Sequence, residues 1–329
     1  MAAAVTPSMR RRAVLTAVAG LVGTAGCSAD AGRETRTVTA APVPTGTPTP
    51  EGIAPVAAAP CDGPAFGAGV RRVVCSGTVP SSEPMPVRLE RSAARLPLPA
   101  QVSFVLANDA DVPFVTTRGA WQLWKAVDGE WFAVSGPGGA EPEPLQPGTE
   151  HRWRLSLASR LPAGPVRTVG RRGELAVPAL GAGRYAFAVD GWFPNEGPTR
   201  RTVFEATLVL EGDPLALRSS RRLVEATVDD GVARGRLRTG CEGCPEARYV
   251  LERTPGATPD RRVVPETAVR SGPAEPLRDA LSLALREGVE RVELTGRSSE
   301  SPPFGVESGG YAFEYVPTGR VYRIETRVA

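Results

Sequence analysis

The sequence predicts a mainly β protein, with a β-sandwich over residues 61–212 and a small α+β domain over residues 213–329. Three observations predict it. Of 329 residues, 36 are Gly and 33 are Pro, so about a fifth of the positions resist the interiors of helices and regular strands. That excludes an all-helical fold. Between 86 and 212 apolar residues recur at every second position in short runs with turn signals between them, and no helical period appears. One later segment, 276–287, instead carries its apolar residues on a single helical stripe.

The chain opens on a leader. Arg10, Arg11 and Arg12 precede a weakly apolar run of about 14 residues that ends at Gly26-Cys27, too short for the roughly 20 residues that cross a bilayer. Residues 1–26 therefore read as a signal peptide. Thr24-Ala25-Gly26-Cys27 resembles the lipobox of prokaryotic lipoproteins, with Thr24 where that pattern prefers an aliphatic residue. The resemblance implies an exported protein whose Cys27 is lipidated and holds it to the outer face of the cell membrane. Arg11-Arg12-Ala13-Val14-Leu15 also resembles a twin-arginine export signal, and the choice between that route and the general one stays open. Residues 28–60 are mainly Ala, Thr, Pro and Gly; such a composition cannot bury enough surface to offset ordering entropy. They read as a disordered, extended tether of roughly 3 Å per residue.

Strand signals follow in order. Residues 101–108 alternate and are closed by Asp109-Ala110-Asp111. Residues 121–127 and 130–134 flank Asp128-Gly129, a pair that supplies the positive φ angles of a type I′ hairpin turn. Further strands fall at 151–157, 183–189 and 202–210, separated by Pro147-Gly148 and by 180–183. Beyond a boundary near Gly212-Asp213-Pro214, strands are expected at 223–228, 248–252, 289–294, 311–316 and 320–327. The helix at 276–287 has Leu277, Ala280, Leu281, Ala284 and Leu285 on one stripe, Pro276 at its start and Gly288 just past its end.

The segment 101–108, the hairpin with Lys125-Ala126-Val127-Asp128-Gly129-Glu130-Trp131, the turn at Leu145-Gln146-Pro147-Gly148 and the strand Ala182-Gly183-Arg184-Tyr185-Ala186-Phe187 together resemble a bacterial immunoglobulin-like domain of exported proteins. Residues 121–132 and 182–193 are also similar to haloarchaeal lipoproteins of unknown function. The resemblance implies an immunoglobulin-like β-sandwich and brings no catalytic residue. The chain has 38 Arg and the single Lys125, as a GC-rich genome would encode.

Charge narrows the function. Without the three leader arginines, 36 basic side chains face 36 acidic ones, so the mature chain lacks the electrostatic footprint of a nucleic-acid binder. The one histidine, His151, argues against zinc and Ser/His or Cys/His chemistry, which need imidazole in company. His151 is expected at a solvated strand end. No catalytic residue, metal site or cofactor is expected.

Four cysteines besides Cys27 remain: Cys61, Cys75, Cys241 and Cys244. In an exported protein an even number implies disulfides, and local pairing, Cys61 with Cys75 and Cys241 with Cys244, is expected over the two crossed connectivities. Cys241-Glu242-Gly243-Cys244 also has the spacing of a redox dithiol or half a zinc site, although Ala247 to Glu252 reads as a strand where a redox motif would start a helix. All five tryptophans, Trp121, Trp124, Trp131, Trp153 and Trp192, lie in the sandwich. Trp121 and Trp124 have opposite parity, so only one of them can face its core. Asp190 to Gly197 reads as a loop, and its Trp192, Phe193 and Asn195 form the expected binding surface. Two functional classes follow: a non-catalytic surface lipoprotein binding or supporting an envelope protein or glycan, and an envelope thiol-disulfide enzyme using Cys241 and Cys244.

Overall fold

The computed structural model describes residues 61–76, 86–117, 119, 121–136, 141–171, 173–238, 245–270, 275–297 and 310–328. The leader, Cys27, the tether, Cys241 and Cys244 lie outside the described residues. In chain order the strands are β1 (Val70–Cys75), β2 (Val87–Arg91), β3 (Arg95–Pro97), β4 (Ala100–Asn108), β5 (Phe114–Thr116), β6 (Gln122–Val127), β7 (Glu130–Ser135), β8 (Glu143–Leu145), β9 (Thr149–Leu157), β10 (Val169–Arg171), β11 (Glu174–Val177), β12 (Gly183–Trp192) and β13 (Arg201–Glu211). Then come β14 (Leu223–Asp229), β15 (Val232–Leu237), β16 (Glu246–Arg253), β17 (Arg261–Val263), α1 (Pro265–Ala268), α2 (Glu275–Ala284), β18 (Arg291–Arg297), β19 (Tyr311–Tyr315) and β20 (Arg320–Val328). The protein is mainly β.

These strands make three sheets. The first runs β1-β13-β12-β5-β8, with β6 and then β7 attached to β12, and β3 to β13. The second runs β10-β11-β9-β4-β2. Period-two alternation gives each strand one apolar face: Val102, Phe104 and Leu106 on β4, Trp153, Leu155 and Leu157 on β9, Tyr185, Phe187 and Val189 on β12, and Phe204, Ala206, Leu208 and Leu210 on β13 all enter one core. Phe104 of the second sheet stacks on Phe187 of the first with ring centroids 4.0 Å apart, so the two sheets meet face to face. Trp121 and Trp153 flank the same Phe187 at 5.8 and 5.5 Å.

The hairpin forms as its turn residues require. Asp128 and Gly129 take φ of 50° and 81°, the left-handed pair of a type I′ turn, and Val127 pairs with Glu130 across it. A register shift between Leu123 and Trp124 adds a bulge. Segments outside 86–212 complete the core: Val74 of β1 and Val264 belong to it, and Val316 packs against it.

The third sheet runs β14-β15-β18-β16-β20-β19-β17. Helix α2 lies on β15, β16 and β18. Its stripe of Leu277, Ala280, Leu281 and Ala284 is buried with Leu251, Val292, Leu294 and Phe313. The helix ends at Ala284, short of the expected 287, because the Arg286 N–H bonds the Leu283 carbonyl at 3.0 Å and tightens the last turn.

All described residues fall within one compact unit, Val56–Ala329. Arginines tie the third sheet to the first two by donating to backbone carbonyls. Arg270 reaches the carbonyls of Pro178 and Ala179. Arg278, 2% exposed, reaches those of Arg218 at 2.7 Å and Gly164 at 3.2 Å. Beside it, the buried Asp279 accepts from the Ser220 N–H and hydroxyl at 2.5 and 2.8 Å.

Candidate functional site

The expected loop at 190–197 begins three residues later than its sequence suggests, because Asp190, Gly191 and Trp192 are still in β12. Gly191 and Trp192 continue β12 by pairing with Thr116 and Val115 of β5, and the Thr116 hydroxyl donates to the Asp190 carbonyl at 2.7 Å. Gly191 is required there, because a side chain would strike the Phe114 ring and the Val115 carbonyl. Trp192 and Phe193 are half-buried and Asn195 is exposed. Phe193 sets its edge against Phe114, centroids 5.3 Å apart, so it is held to the core while Asn195 faces solvent. His151 is half-buried within β9, not at its end, and lies edge-on to Trp153 at 4.4 Å. Trp121 is in the core at 2% exposure, while Trp124, of opposite parity, points to the outer face of the first sheet.

That outer face is covered by residues 61–69. Alternation puts Gln122 and Trp124 of β6, Arg184, Ala188 and Asp190 of β12, and Val203 and Glu205 of β13 on it. The parallel pairing of β1 with β13 sets Cys75 beside Glu205, and the Cys61–Cys75 disulfide draws the preceding segment across the sheet. The segment is then fixed along its length. Arg184 donates to the Asp62 carboxylate at 2.5 Å and to the Asp62 carbonyl at 3.0 Å, and Phe66 sets its edge on Trp124 with centroids 6.0 Å apart. Arg201 bonds Asp190 at 2.6 Å and the Ala68 carbonyl at 3.3 Å. Between segment and sheet is a cavity of 300 Å³ lined by Phe66, Trp124, Gln122, Asp190 and Arg201.

Glu205 lies under the same segment at 2% exposure. Its Oε2 has no hydrogen-bond partner. Gly63 rests directly on the carboxyl, where a Cβ would overlap both oxygens. Burial pushes the Glu205 carboxyl up to about 7, against the charge of Arg184 and with that of Asp62.

A second buried polar cluster joins Lys125 of β6 to Glu266 of α1. The Lys125 Nζ donates to Glu266 Oε1 at 2.6 Å, and the Gly181 N–H donates to the same oxygen at 2.9 Å. The Tyr185 hydroxyl lies 2.8 Å from the Gly181 carbonyl and 3.2 Å from Glu266 Oε1. Burial, then the Glu266 charge, raises the Tyr185 phenol well above its ordinary range. The contacts converge on Oε1 and join β6, β12 and α1, while Glu266 Oε2 has no hydrogen-bond partner.

The open face of the third sheet carries charge. Across five strands the pairing places Glu225, Arg236, Thr295, Arg248 and Arg327 in one transverse row, which forms part of the lining of a 680 Å³ basin. Guanidinium forks suit oxyanions, but these are already engaged. Arg248 bonds Glu293 at 2.5 Å, Arg327 bonds Glu325 at 3.1 Å and Arg236 lies 3.5 Å from Glu225. Desolvation pushes the Glu293 carboxyl up, but hydrogen bonds from Arg248 and Arg291 outweigh it and hold it below the ordinary range. Each of these guanidiniums is thus already turned to a carboxylate.

Among the described residues no group of three or more His, Cys, Asp or Glu could hold a metal ion, and no helix is long and apolar enough to cross a membrane. Neither the strap across the outer face nor Glu205 was legible as a site in the sequence. The only signal there was the short spacing of Cys61 and Cys75.

No family profile matches the chain, and no curated protein does. Among solved structures, parts of three unrelated proteins align at a TM-score of 0.21. An alkylpurine DNA glycosylase of Pseudomonas fluorescens, AlkC, bound to DNA containing an abasic site analog, is 14% identical over 40% of this chain and 32% of its own. The sporulation control protein Spo0M of Bacillus subtilis is 15% identical over 40% and 51%, and a β-glucosidase of Listeria innocua 16% over 39% and 16%. The chain thus spans about half or less of each protein it matches, and likeness at that level identifies neither a fold nor an activity.

Proposed function

We propose that this is a non-catalytic surface lipoprotein, exported and anchored through Cys27, which holds an immunoglobulin-like sandwich away from the membrane on its Pro-rich tether to bind or support another envelope component. The observation that carries the reading is the Cys61–Cys75 disulfide, because disulfides persist in oxidising compartments outside the cytosol. It also lies where the Pro- and Thr-rich segment meets the folded body. Two sheets closing on one aromatic core suit the sandwich that the hairpin resemblance implies. The Trp192-Phe193 corner, with Asn195 open to solvent, gives that body a presented edge, and loops on rigid sheets are common recognition sites.

The reading is tested by expressing the full chain in a host that processes lipoproteins. The wild type is expected in the membrane fraction with a lipid mass on its N-terminal peptide, and Cys27→Ser should release the protein or block its maturation. An unmodified Cys27 peptide would overturn the anchor. Disulfide-reductase activity abolished by Cys241→Ser would overturn the non-catalytic reading.

A further inference from the structure

We propose that residues 62–69 are a proton-controlled flap over the outer face of the first sheet, closed while Glu205 is neutral and lifting when it ionises. The proposal goes beyond the surface-lipoprotein reading and does not depend on the anchor or on the Trp192 edge.

The geometry supports a state that can change. A buried carboxylate needs donors on both oxygens, and Oε2 of Glu205 has none. Gly63 lies on it without room for a Cβ, so closure excludes the solvent an ionised group would need. Relief is simple: lifting the flap admits water. The flap can rise without being lost, since Cys61 is bonded to Cys75 and β1 continues from Val70. It also has something to uncover, the cavity lined by Phe66, Trp124, Asp190 and Arg201.

The surrounding charges do not supply the missing donor. On β12, Arg184 is turned to Asp62 of the flap at 2.5 Å, and Asp190 is paired with Arg201 of β13 at 2.6 Å. On β1, Arg71 is engaged with Glu196 at 3.3 Å and Cys75 is in the disulfide. On β6, Gln122 and Trp124 are neutral. Arg184 favours the charged form of Glu205 and Asp62 disfavours it, while burial outweighs both and raises the carboxyl to about 7. In the lifted state the group returns to the ordinary carboxylate range near ~4.3. Closure is therefore strongest below that range, weakens as pH rises toward 7, and reaches its minimum above it.

The test is hydrogen exchange of the wild-type protein between pH 5 and pH 8, corrected for intrinsic rates and read on the peptide containing 62–69, together with acrylamide quenching of tryptophan. Amide protection of that peptide should fall on the order of a hundredfold across the range, and quenching should rise with it, a rise that Trp124→Phe should reduce. Glu205→Gln and Glu205→Leu should keep the flap protected at pH 8, and Gly63→Ala should leave it unprotected at pH 5. Protection of 62–69 that does not change with pH in the wild type would overturn the proposal. So would a pH dependence that survives in either folded Glu205 variant.

Discussion

The protein's one lysine, Lys125, meets the fully buried carboxylate of Glu266 at 2.6 Å. The two are 141 positions apart in sequence, and they join strand β6 of the first sheet to helix α1, which leads toward the third. The single ammonium reaches Oε1, which the Gly181 N–H also serves, and Oε2 of Glu266 is left without a hydrogen-bond partner.

Lys125→Met should therefore cost about 3–5 kcal/mol, the range for leaving one charge of a buried pair uncompensated. The double variant Lys125→Met with Glu266→Gln should lose less than the two single losses added. Urea denaturation of the four members of the cycle measures it; additive losses would show that the pair is not coupled.

Reduction of the disulfide, or Cys61→Ser with Cys75→Ser, should lower stability by about 3 kcal/mol, the entropy released when a loop of about 15 residues is opened in the unfolded chain. Thermal unfolding with and without reductant reads it directly. The loss should come with greater exchange in the 62–69 peptide.

Glu205 should also leave its mark on global stability. A carboxyl raised to about 7 in the folded protein holds a proton that the unfolded chain has released, so stability should decline as pH climbs from the ordinary carboxylate range toward 7 and level off beyond it. Denaturation at a series of pH values should show this decline in the wild type and a flatter profile in Glu205→Gln.

The Trp192 corner should divide by residue. Phe193→Ala removes the edge contact with Phe114 from a half-buried position and should cost about 1–2 kcal/mol, below the range for a fully buried ring. Asn195→Ala should leave thermal stability within about 0.5 kcal/mol, as surface substitutions do. If the corner binds an envelope partner, site-specific crosslinking there should be weakened by Asn195→Ala at unchanged melting temperature.

Legibility in the sequence followed the range of the interactions. The hairpin could be read because Asp128-Gly129 dictates its own turn, and α2 could be read because Leu277, Ala280, Leu281 and Ala284 repeat a single stripe. Strand β1 could not: Arg71 and Arg72 interrupt its alternation, and its partner β13 lies some 130 residues away. Glu266 sits in Pro-Glu-Thr-Ala, a string that reads as a solvated helix start, and only a lysine from another sheet makes it an interior residue. Glu205 in Phe-Glu-Ala-Thr has the parity of an outward strand position, as found; what buries it is a glycine from a segment whose placement depends on a disulfide.

That disulfide also decides how the folded body would respond to tension. A pull on the chain ahead of Cys61 passes through sulfur to Cys75 at the end of β1, and residues 62–69 drop out of the load path. The force is received instead by the ladder between β1 and β13, whose strands run parallel. The covering segment is thereby a slack branch beside a taut one, able to rise and settle while the attachment carries load.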